Sequence, residues 1–371
     1  MADQNPNHPM PLLDIMQQGQ TAYEQAQFEE AFRLYSQAIH MVEDQDAEDQ
    51  LAGIEAGEIY AMRASSLVAQ DQDAALTDAD IFNQAIDDYD QAIERSPRNV
   101  LFLNLRGEMY LRCGFAEYAP EAMDDFQLAV EIAPQNAPSL RNLGEANLKL
   151  EKFDEALYNL TLAIDNDASD SDSFRLRAMA YLQKPPGNYA AAANDFAQAI
   201  KLAPLQADLY QWRAQALQEM GQPHIALEVY QQLIDLAPNV AEYYIDRAVM
   251  LIESDPERAM QDLNQALELE PNALAYNNRA YLHYQEGEYD SAILDAKRAL
   301  DVDPNASIAY ATLAEIYAAL DDREQFYPYL QLAVDEYYED IVEVMTFPGF
   351  ARYQKEERFQ QIIKPNQNSE G

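Results

Sequence analysis

A repeat with a period of about 34 residues constrains this chain more than its 371-residue length does. An Ala, an aliphatic residue next to it and a Pro five positions after the Ala recur from Ala92, Ala129, Ala199, Ala266 and Ala299. Each is preceded by a small residue seven positions earlier: Ala85, Ala122, Ala192, Ala259 and Ala292. Further upstream lies another small residue with an aromatic or Leu four before it, as in Tyr60/Ala64, Leu140/Gly144, Tyr244/Ala248 and Tyr276/Ala280. The spacing predicts two helices per period, whose small residues let them approach closely while residues such as Phe153 and Leu160 fill the space beside them. Pro at the end of the second helix cannot continue it and turns the chain into the next unit. One such hairpin cannot bury its apolar stripe alone, so stability must come from stacking on neighbours.

These columns resemble the tetratricopeptide repeat, a helix–turn–helix unit, over about residues 12–340. The resemblance implies an all-α fold, a right-handed solenoid of stacked pairs, with nine repeats at 12–45, 57–98, 100–136, 137–170, 171–206, 207–240, 241–272, 273–306 and 307–340. The end units are atypical: Glu43 stands where Pro is expected, and Phe326 where the second helix needs a small residue. An acidic linker at 44–49 and an insertion at 70–78 interrupt the register and read as decoration at turns. Residues 341–364, with Phe347, Phe350, Tyr353 and Phe359 at roughly helical spacing, are expected to form capping helices. Residues 1–11 and 365–371 are expected to be flexible ends.

The repeats also correlate internally. Arg precedes the small residue of the first helix at Arg63, Arg106, Arg177, Arg213, Arg247 and Arg279. A fixed column of the second helix holds Asp88, Asp125, Asp195, Asp262 and Asp295 in the same repeats, Arg213 alone being matched by Val229. Repeats without the Arg have Leu34, Asn159 and Tyr329 in that column. This co-occurrence predicts an Arg–Asp pair joining the helices of each hairpin, a geometry suited to the planar guanidinium. Those arginines are thereby poor candidates for ligand contact.

The resemblance further implies a concave groove lined by first helices, where extended peptides or partner helices lie. In repeats three to five its columns hold Asn104, Arg112, Arg141, Lys149 and Arg175, a cationic group in a chain of net charge −41. Two readings stand: the group draws a carboxylate or acidic segment of a partner, or it neutralises neighbouring acids such as Glu108 and Glu145. In repeats six to eight the columns include Ile245, Val249, Tyr281 and Tyr284, with Trp212, the single tryptophan, adjacent. These form either a docking strip or a set shielded by neighbouring helices. The two-carboxylate clamp of chaperone-binding relatives is not reproduced, since Glu145 stands where an Asn is required and Asn277 and Asn278 lack the lysines.

Other chemistry is poorly supported. The run from Asp165 to Asp172 imitates a calcium loop, but Asp170 replaces the turn Gly and Leu176 the closing Glu; it reads as a helix-capping junction. Four scattered histidines and one cysteine, Cys113, give no metal or nucleophile constellation, and no cofactor is expected. The charge of −41 opposes binding to nucleic acid or to an anionic membrane. No apolar run is long enough to span a bilayer, and the start lacks a signal-peptide pattern, so the expected compartment is the cytoplasm. The reading is a non-catalytic scaffold or adaptor that binds a protein or peptide, with an acidic or carboxylate feature, in its groove. The alternative is a structural subunit that self-associates or docks through its ends or convex face.

Overall fold

A computed structural model describes residues 11–43, 56–70, 79–113, 118–336 and 348–363. Among them are 19 α-helices and no strand. The chain divides into two compact units, Met1–Ala216 and Leu217–Gly371.

Unit 1 contains α1 (Leu12–Glu24), α2 (Phe28–Glu43), α3 (Ala56–Gln70), α4 (Ala79–Arg95), α5 (Val100–Arg112), α6 (Ala119–Ile132), α7 (Ala137–Lys149), α8 (Phe153–Asn166), α9 (Ser171–Gln183) and α10 (Tyr189–Leu202). Helix α11 (Ala207–Glu219) begins in unit 1 and runs across the division. Odd-numbered helices pair with the even-numbered ones that follow, and α5 also touches α7, as α7 does α9. First helices of successive pairs therefore share a face. Close packing explains the small residues: a Cβ on Gly144 would lie 2.5 Å from Cγ of Leu160, and one on Gly107 2.5 Å from the Phe126 ring. Helix starts are set by side chains, Asn99 accepting from the Leu101 N–H at 3.0 Å and Asn136 from the Ser139 N–H at 2.9 Å.

Unit 2 contains α12 (Pro223–Leu236), α13 (Ala241–Leu251), α14 (Pro256–Leu269), α15 (Ala273–Gln285), α16 (Tyr289–Val302), α17 (Ser307–Ala319), α18 (Arg323–Glu336), a 3₁₀ turn at Pro348–Phe350 and α19 (Glu357–Ile363). Here α13 touches α15 and α15 touches α17, repeating the first-helix contacts. Hydroxyls tie first helices to the preceding turn: Tyr244 donates to the Pro238 carbonyl at 3.1 Å and Tyr310 to that of Pro304 at 3.0 Å. Phe326, where other second helices have Ala, is buried because its ring meets Tyr353 at 4.4 Å and Phe350 at 5.4 Å. The turn, the segment after it and α19 thus supply, through Phe350, Tyr353 and Phe359 respectively, an apolar cover over α17 and α18. Residues 337–347, the acidic linker, most of the insertion at 70–78 and, apart from Pro11, the two expected flexible ends lie outside the described residues.

Candidate partner-binding face

Five arginines of the first helices each grip an aspartate of the following helix with two hydrogen bonds: Arg63–Asp88, Arg106–Asp125, Arg177–Asp195, Arg247–Asp262 and Arg279–Asp295, at 2.5 to 3.0 Å. The aspartates are buried. Burial pushes the Asp88 and Asp125 carboxyls above their usual range, more than the facing guanidinium pulls them down. The partner arginines are held more firmly protonated by the same bonds.

Four of these arginines also use a third nitrogen. Arg106 Nη1 donates to Asp90 at 2.5 Å, Arg177 to Thr161 at 3.2 Å, Arg247 to Gln231 at 2.6 Å and Arg279 to Asn264 at 2.7 Å. Each acceptor belongs to the second helix of the preceding pair, so the clasp joins neighbouring repeats as well as the helices of one hairpin. The sequence reading found only the carboxylate arm. The other arm lies two positions after the Asp column, where Asp, Thr, Gln and Asn alternate without a shared identity. Arg213 has Val229 and Ala197 in the two columns, and its Nε is buried with no hydrogen-bond partner among the described residues. Burial lowers the pKa of its guanidinium.

With those arginines committed, the remaining groove columns of unit 1 divide into fixed and open positions. Asn104 is buried and donates to Ser139 Oγ at 2.8 Å, leaving its own Oδ1 without a donor. Arg141 is half-buried between Asn142, at 3.2 Å, and Asp170, at 3.5 Å, while Asn142 donates to Glu108 at 2.6 Å. Arg175 pairs with Asp172 at 2.9 Å within α9. Acids from the α8–α9 junction therefore neutralise part of the cationic group. The same contacts account for the calcium-like run: Asp167 accepts from Ser169, and Asp170 from Ser173 at 2.6 Å. Arg112 and Lys149 are exposed and make no ion pair among the described residues. The Trp212 ring, half-buried, lies 5.8 Å from Phe196.

In unit 2, Ile245 is 3% exposed and packs with Ala241, Leu251 and Leu282, out of reach of a partner in this arrangement, whereas Val249 is 49% exposed. The column lies at the seam between α13 and its neighbours, so a side chain one turn away from Val249 faces the core. Tyr281 and Tyr284 line a cavity of about 560 Å³ with Asn277, Asn278, Tyr289, Thr312 and Glu315. His283, Glu286 and Glu288 each bring a ligand atom within 4.8 Å of the others, but the His283 Nδ1 is already 2.8 Å from Glu288.

A second cavity, of about 580 Å³ in unit 1, was missed in the sequence. Leu13, Met16, Gln17 and Gln20 from α1, Ala61 and Met62 from α3, and Leu101 and Leu105 from α5 line it. Leu13 is 62% exposed and Leu101 59%. Leu13 and Leu101 lie six positions before the small residues Gly19 and Gly107, outside the groove columns read from the sequence, so those columns do not reveal the apolar run.

The fold is an all-α solenoid of helix pairs, in which first helices of successive pairs touch one another. Tetratricopeptide-repeat models match residues 73–137, 207–240 and 273–306. The chain belongs to the tetratricopeptide-repeat family and carries many repeats. Comparison with curated proteins gives no match. Similar solved structures include YrrB, described as a TPR protein with an unusual peptide-binding site, with 22% identity over 50% of this chain and 95% of that one and a TM-score of 0.42. A tetratricopeptide repeat protein from Parabacteroides merdae shares 16% identity, covering 82% and 97% of the two chains, with a TM-score of 0.45. Yeast Tom70 shares 13%, covering 95% and 98%, with a TM-score of 0.46.

Proposed function

We propose that this chain is a non-catalytic scaffold that binds a partner peptide or helix along the face formed by its first helices. The observation that carries the reading is the unit 1 cavity, where α1, α3 and α5 converge and leave Leu13 and Leu101 open to solvent. Apolar side chains on a face that is otherwise polar favour a docking function, and the thioethers of Met16 and Met62 adapt to the shape of an incoming side chain. Gln17, Gln20 and Asn99 at the rim supply hydrogen bonds for orientation. Farther along the face, Asn104 keeps an acceptor unpaired, and the exposed Arg112 and Lys149 favour an acidic or carboxylate feature in the same partner. Among the described residues no helix is long and apolar enough to cross a membrane. A cytoplasmic location is part of the same reading.

One observation favours docking through the opposite side. A cavity of about 850 Å³ on α6, α7 and α8 is lined by Met123, Val130 and Tyr158, and Tyr158 is 66% exposed. The two readings separate in a capture experiment from native extract, with captured proteins identified by mass spectrometry. Leu13→Asp with Leu101→Asp is expected to remove the partner that wild type retains, while Tyr158→Asp leaves it in place. Loss with Tyr158→Asp alone would overturn the reading in favour of the opposite face.

A further inference from the structure

The unit 2 cavity differs in character from the apolar one. At its floor Glu315 is 7% exposed and forms no ion pair among the described residues. Its carboxyl faces the Tyr284 hydroxyl and the Gly349 backbone N–H, two neutral donors. Gly349 fits closely there, for a Cβ on it would stand 3.3 Å from the Glu315 Cγ. Asn277, 5% exposed, keeps its Oδ1 without a donor. Tyr281, Tyr284 and Tyr289 complete the wall, with the Tyr284 and Tyr289 rings 6.2 Å apart and tilted by 53°.

We propose that this cavity receives an arginine side chain of the bound partner, with the guanidinium on Glu315 and against the tyrosine rings. A buried carboxylate with no cation is unfavourable, and an arriving guanidinium satisfies it while donating to Asn277 Oδ1. Aromatic faces attract cations, and a planar guanidinium stacks where an ammonium does not. A chain of net charge −41 draws a basic segment toward it. The field of Arg352 reaches Tyr284, but that side chain is exposed, lies 5.9 Å over the Tyr353 ring and makes no ion pair with Glu315 among the described residues. Burial holds the Glu315 carboxyl above its usual range, and an arriving cation would bring it down. The assignment rests on the scaffold reading and specifies one of its contacts, at a site separate from the unit 1 cavity.

The test uses the full-length chain and the peptide acetyl-Gly-Gly-Arg-Gly-Gly-amide, with versions carrying citrulline or Glu in place of Arg, followed by NMR titration. Binding of the Arg peptide alone is expected, weakened roughly tenfold or more by Glu315→Gln and by Tyr281→Ala, with helix content unchanged. No binding of the Arg peptide, equal binding of the citrulline or Glu peptide, or no loss in either variant would overturn the assignment. Arg352→Gln is the control for self-occupancy: an Arg peptide that binds only in that variant would show that the chain fills its own cavity, and would also overturn it. Failure in the peptide titration leaves the scaffold reading to the Leu13→Asp and Leu101→Asp capture test, which does not involve this cavity.

Discussion

Arg247→Met removes the most deeply buried of the clasp arginines. Its side chain is 7% exposed and that of Asp262 6%, so neither is appreciably solvated. Two bonds of 2.7 Å to the carboxylate and one of 2.6 Å to Gln231 would vanish together. The methylenes of Met replace the stem of the arginine, so lost packing is small and the main effect is an unpaired buried carboxylate. Removing one partner of such a pair costs about 3–5 kcal/mol, whereas replacing both with apolar groups is nearly neutral. Arg247→Met with Asp262→Leu is therefore expected to recover most of the loss. A repeat array need not unfold in two states, so the appropriate assay is native-state hydrogen exchange of the α13 and α14 amides. The single variant should speed exchange through local opening by roughly two orders of magnitude or more. A single variant that costs less than about 1 kcal/mol, or a double variant as unstable as the sum of the singles, would refute the view that the clasp is a coupled buried pair.

Two further outcomes follow from the same contacts. Ala197→Gln should give Arg213 the side-chain acceptor that Gln231 gives Arg247, raising stability by about 1 kcal/mol in thermal melting; a fall or no change would mean that Arg213 does not face that column. Burial pushes the Tyr89 hydroxyl from 10.0 to about 12, and Tyr89 is 3% exposed. The folded state favours neutral tyrosine, so this contribution is whole below pH 10 and is lost as pH rises through about 12, amounting to on the order of 3 kcal/mol for this residue. Exposed tyrosines such as Tyr158 ionise first, and the last part of the rise in absorbance at 295 nm should coincide with loss of helicity in that window. Complete tyrosine ionisation below about pH 10.5 with the helices intact would contradict the burial argument.

The Arg–Asp columns were legible because many copies of one unit allow comparison within a single chain, and a matched pair of identities stands out. The arm to the preceding repeat was not, since Asp90, Thr161, Gln231 and Asn264 share only an acceptor oxygen. Ile245 and Val249 looked equivalent as groove columns, yet a turn of helix separates a buried from a half-exposed side chain. Glu315 falls in the same column as Val249 and Tyr281, but a lone Glu there reads as solvated, and the Gly349 that packs against it lies 34 positions later. The departure at Phe326 was visible as an anomaly, but its reason lies in Tyr353 and Phe350.

The central claim is that the first-helix face of unit 1 holds the partner. Photo-crosslinking reads this directly, with benzoylphenylalanine placed at Leu101, 59% exposed on α5, or at Tyr158, 66% exposed on α8. The account predicts adducts from position 101 to one contiguous segment of one partner and none from position 158. Adducts confined to position 158 would contradict it.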